Sequence, residues 1–137
     1  MNYSNHHGYL AMFFIMIISG FLSTMNVWAD KIGDIRFSVN DLYMVLLMTG
    51  WMFFFMGIYY RETYVFLFGL VLVVSNIWAI RTQFMVSQNQ YILSMIPHHS
   101  MAIHNSKRLL EKENNIGDFL NSIIKVQERE IEYMQTF

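Results

Sequence analysis

The sequence predicts an all-α membrane protein: three transmembrane helices followed by a C-terminal amphipathic helical hairpin. Three observations carry this reading. Three long stretches are apolar and free of Asp, Glu, Lys and Arg. Hydrophobic residues make up 55% of the 137 residues, aromatics 17%, and proline occurs once. Mean hydropathy is +0.32, high for a soluble domain. Most of the charge falls after Arg81, where apolar residues recur at helical spacing.

The first apolar stretch runs over 9–28, the second over 42–60 and the third over 64–80. A helix crosses a bilayer with about 20 apolar residues, roughly 17 at the least. Tyr9, Trp28, Tyr43, Tyr59, Tyr60, Tyr64 and Trp78 stand near the ends of these stretches, as an interfacial aromatic belt requires. The first is expected to be a retained helix and not a signal peptide. Its apolar region is long, no basic residue precedes it, and Trp28-Ala29-Asp30 is a poor cleavage site. Residues 29–41 read as a polar loop, and Arg61-Glu62-Thr63 as the tight turn of an antiparallel hairpin. Gly50 and Gly57 permit close approach of a neighbouring helix. Met44, Met48, Met52 and Met56 form a slowly drifting ribbon, better read as flexible packing than as a thioether track.

Residues 1–81 are thus the expected membrane region and 82–137 the hairpin. Its first helix is expected over about 82–113, with Pro97 kinking it or marking a first turn. Asn114-Asn115-Ile116-Gly117 supplies the break, with Asn and Gly suited to a left-handed cap. Asp118 is the expected N-cap of a second helix over 118–136.

Candidate functional residues come from the apolar stripes. On the first helix His99 lies at the centre of a face holding Phe84, Met85, Tyr91, Ile92, Met95, Ile96, Ile103 and Leu110. His98 falls near its edge, and Met101 and His104 fall opposite. On the second helix Gln127 and Glu130 are the hydrophilic members of a face that holds Leu120, Ile124, Ile131 and Met134. A buried ionised Glu is costly unless paired or bound to a cation. One outcome is a structural hydrogen bond between His99 and Glu130 or Gln127. The other is a metal site of His99, His98, Met95, Glu130 and Met134, with Gln127 supporting it. Mixed His and Met ligation suits copper, whereas His with Glu suits zinc, iron or manganese. Two helices alone bury too little apolar surface to be stable. A homo-dimer would complete a four-helix bundle and double the donors about one axis.

Net charge is −1, so no nucleic-acid partner is expected. There is no cysteine, which excludes disulfides and thiolate metal sites. No nucleotide loop, nucleophile–base pair or zinc-protease motif occurs, so no catalytic residue is assigned. His6-His7 would bind metal weakly at most.

Tyr91, Met95-Ile96-Pro97-His98-His99, Ala102-Ile103, Ile123-Ile124, Gln127, Glu130-Ile131 and Met134 together resemble a bacterial family named only as domain of unknown function three-hundred-and-five. The likeness covers about residues 90–135. It implies a ferritin-like bundle and extracytoplasmic metal binding, usually of copper. Typical members carry the hairpin twice, whereas this chain carries it once, like a short membrane-anchored subgroup. His104-Asn105 stands where many relatives have an acidic residue followed by Met. The basic residues Lys31 and Arg36, set against Arg61, weakly favour a cytoplasmic hairpin. The resemblance favours the opposite side of a bacterial-type inner membrane, which is the expectation retained. The expected function is membrane-anchored binding of a transition metal, copper first, in homeostasis or resistance. The alternative is an accessory membrane subunit whose hairpin is an assembly interface without metal.

Overall fold

A computed structural model describes residues 3–137, with side chains from Gly8 onward. The side chains of His6 and His7 lie outside the described residues. All regular elements among the described residues are helical: α1 (Tyr3–Leu22), 3₁₀ turns at Met25–Trp28 and Ile32–Asp34, α2 (Val39–Tyr60), α3 (Thr63–Thr82), α4 (Gln88–Leu110) and α5 (Gly117–Met134). They divide into two compact units. One comprises residues 1–23 and 39–85, the other 24–38 and 86–137.

Among the described residues, three segments are long and apolar enough to cross a membrane: Gly8–Trp28, Val39–Tyr60 and Thr63–Thr82. Phe14, Ile18, Leu22, Phe55, Val71 and Val74 are each more than half exposed, a surface suited to lipid. Within this first unit α2 and α3 form the expected hairpin. A Cβ added at Gly57 would strike the Phe66 backbone, and one at Gly69 the Phe54 backbone. Glycine therefore lets the two helix backbones meet. Phe13, Phe53 and Phe68 pack in a cluster of tilted and edge-on rings with centroids 5.3–6.4 Å apart.

Several boundaries differ from expectation. The first α-helix ends at Leu22, six residues early, and α2 begins at Val39. The helix expected from residue 82 starts only at Gln88, because Gln83 and Met85 adopt φ of 50° and 55°. Ser87 caps the new start by accepting the Gln90 N–H at 3.4 Å. Phe84 and Met85 therefore leave the stripe. Pro97 stands buried inside α4 rather than in its first turn. It lacks the N–H that would bond the Leu93 carbonyl. α5 starts at Gly117, so Asp118 lies in the first turn and is not the cap. No left-handed residue forms this break. Instead the Asn114 side chain donates to the carbonyls of Leu109 and Lys112 and accepts the Ile116 N–H.

The second unit is built on α4. One face packs on α5 through Ile96, Ile103 and Ile131, with Ile92, Ile124 and Met134 against them. Another face receives residues 24–38. The expected polar loop is thus an ordered layer. Ser100, fully buried, accepts the Asp30 N–H at 2.9 Å and donates to Asp34 Oδ2 at 2.7 Å. Lys107 Nζ reaches Asp30 Oδ2 at 2.7 Å. Asn26 closes the layer on itself, donating to the Arg36 carbonyl at 2.7 Å and accepting the Arg36 N–H at 3.0 Å.

Candidate functional site

His99 sits one turn after Ile96 and one before Ile103, at the border of the α4–α5 core. Its side chain is 18% exposed and its Nδ1 is buried. Glu130 Oε2 from α5 lies 3.0 Å from Nδ1. The nitrogen nevertheless has no aligned hydrogen bond, so the contact is close but off the N–H direction. Burial pushes the His99 pKa below 6.5. The Glu130 carboxylate opposes that shift, the neighbouring His98 adds to it, and Gln127 favours the charged form. Desolvation outweighs the opposing contacts, so burial favours the neutral ring, which has a nitrogen lone pair to offer.

The expected site residues do not all converge. His99, Gln127 and Glu130 come together. Glu130 is half exposed, however, so the cost of burying a full charge does not arise there. The reason is angular: on α5 it lies about 100° from the mean direction of Leu120, Ile124 and Ile131. Met134 packs on the apolar core, and Met95 is partly buried on α4. His98 is exposed, its ring 6.2 Å from that of His99. Among the described residues no three His, Asp or Glu side chains are grouped to hold a metal ion. A single copy therefore presents an imidazole and a carboxylate, a donor pair of the right chemistry but short of a full set.

Sequence reasoning missed Met25, whose Sδ lies 3.4 Å from His98 Nδ1. It falls in the first apolar stretch, where methionine passes as a membrane residue. It also missed Ser100 and the 24–38 layer. The signal was present: Asn26, Asp30 and Asp34 recur every four residues, and Asn26 and Asp34 are buried. A pocket of ≈ 380 Å³ borders this layer, lined in part by Asp30, Asp34, Glu128 and Glu132. Its carboxylates are largely engaged, Asp34 by Ser100, and Asp30 and Glu128 by Lys107 at 2.7 and 3.6 Å.

The chain is 40% identical over 142 residues to "Uncharacterized protein L153" of Acanthamoeba polyphaga mimivirus, an alignment covering 96% of this chain and 91% of that protein. A family model described as "Domain of unknown function (DUF305)" matches residues 78–137. The chain belongs to the DUF305 family. The matched segment begins near the end of α3 and takes in α4 and α5. In this DUF305 chain the His99–Glu130 pair therefore lies inside the family segment, whereas Met25 and the rest of the 24–38 layer lie outside it. Similarity to the viral protein extends well beyond that segment, across nearly the whole chain. No solved structure matches it.

Proposed function

We propose that this protein is a membrane-anchored transition-metal-binding protein, with copper its leading cargo, acting in metal homeostasis or resistance. The observation that carries the reading is His99. Its Nδ1 is buried, lacks an aligned hydrogen bond, and faces a carboxylate 3.0 Å away. Burial favours the neutral, ligating form of the ring. His99 and Glu130 would hold the ion, with Gln127 orienting the ring and His98, Met95 and Met134 as further donors. Iron, zinc or manganese suit the His–Glu pair; thioether donors favour copper. The extracytoplasmic side is the proposed location of the hairpin.

A second copy completes the site in this reading. Tyr91, Met95, His98, Ala102, Asn105 and Leu109 follow a four–three spacing, as do Phe119, Ile123, Val126, Glu130, Tyr133 and Phe137. This is the period of a helix–helix seam. Its aromatic positions stand open among the described residues: Tyr91 is 53% exposed, Phe119 63% and Tyr133 66%. Pairing two hairpins along it builds a four-helix bundle and brings together two sets of Met95 and Glu130. A monomeric mass in mild detergent would remove this part of the reading.

His99→Ala is expected to lose stoichiometric metal while the protein stays folded. Unchanged metal content in that variant would rule the site out. A second reading is favoured by the direct His99–Glu130 contact: an accessory subunit in which that pair fixes the register of an assembly interface. Under it His99→Leu leaves metal content alone and alters oligomerisation.

A further inference from the structure

We propose that Met25 and His98 form a thioether–imidazole site for a soft monovalent cation, Cu(I) foremost, beside the His99–Glu130 pair. The inference deepens the metal-binding reading and rests on it. The primary observation is the 3.4 Å separation of Met25 Sδ and His98 Nδ1, two atoms 73 residues apart in sequence. Metal bonds of about 2.0 Å to imidazole nitrogen and about 2.3 Å to sulfur, meeting at a near-tetrahedral angle, span about this distance. Thioether sulfur is a soft donor and imidazole a borderline one, a pair that selects Cu(I) over hard divalent ions.

The segment that carries Met25 is fixed and not a tether. Asn26, the next residue, is buried and holds the Arg36 backbone in both directions. Ser100 binds Asp30 and Asp34 from the same α4 that bears His98. These bonds set the first 3₁₀ turn against α4 before any ligand arrives, which lowers the cost of ordering a site. The two atoms also stand within N–H···S hydrogen-bond range. Met25 remains 38% exposed and His98 is exposed, so both donors are reachable from solvent.

The test is Cu(I) titration of the full chain in detergent against a chromophoric Cu(I) chelator, under reducing conditions, with X-ray absorption of the loaded protein. Met25→Leu is expected to weaken Cu(I) binding at least about tenfold, to lower the sulfur scattering at about 2.3 Å, and to leave Zn(II) binding unchanged. Equal Cu(I) affinity and an unchanged sulfur shell in Met25→Leu would overturn the inference while leaving the His99 site standing. Wild-type protein that takes up no Cu(I) would overturn this inference as well as the copper reading. Should Met25→Leu not fold, the double variant Met95→Leu/Met134→Leu decides. A retained sulfur shell supports Met25, and a lost one assigns the sulfur elsewhere and overturns it.

Discussion

The two helical hairpins of this chain are held together by different physics. α2 and α3 meet backbone to backbone through Gly57 and Gly69. α4 and α5 meet through Ile96, Ile103 and Ile131, and α4 is also fastened to the 24–38 layer by Ser100, Asp34 and Lys107. In lipid, apolar surface gains nothing by being covered, so helices associate through close van der Waals contact at small residues. In water, burying isoleucine is itself the driving force. The glycine contacts of the first hairpin thus suit a membrane, and the isoleucine core of the second suits water. The second can afford polar groups at its core border, and those groups are where chemistry becomes available.

The comparison makes unequal predictions. Gly57→Leu should have the largest effect, because any side chain there meets the Phe66 backbone. Overpacking against backbone costs about 3 kcal/mol or more, read as a large fall in Tm in detergent. Gly33→Ala, with open space around it, should be nearly neutral. Equal Tm values for the two variants would break the small-residue account.

Ser100→Ala comes next. It strands the Asp30 N–H and the buried Asp34 carboxylate, at about 1–3 kcal/mol. Hydrogen exchange should speed up at the Asp30 amide and across residues 26–36, with α2 and α3 unaffected. Unchanged protection there would show that the layer does not depend on this serine.

The smallest effect is pH-dependent. The folded state holds the His99 pKa below 6.5, so the unfolded chain takes up that proton first. Stability is complete above pH 6.5 and is lost as pH falls towards the depressed folded value. His99→Gln should flatten that slope in denaturant melts between neutral and mildly acid pH. An identical slope in both proteins would assign the titration to another group.

Much of this was legible in sequence, for physical reasons that differ along the chain. The uncharged stretches announced the three membrane-length helices, because bilayer thickness imposes length and composition together. The pairing of His99 with Glu130 followed from helical periodicity. The start of α4 was also written, since Ser87 and Gln90 have capping-box spacing, but the apolar pair Phe84-Met85 masked it. The exposure of Glu130 was less visible, because a stripe drawn 80° to either side admits residues that packing leaves outside. Met25 beside His98 could not be read at all: the contact joins residues 73 apart and depends on how the 24–38 layer folds onto α4.

The central claim is that this hairpin holds a transition metal at His99 and Glu130. Elemental analysis of the purified full-length protein, with and without added copper and iron, tests it most directly. The account predicts stoichiometric copper that survives desalting at neutral pH and is released on acidification. Protein that retains no transition metal after loading would contradict it.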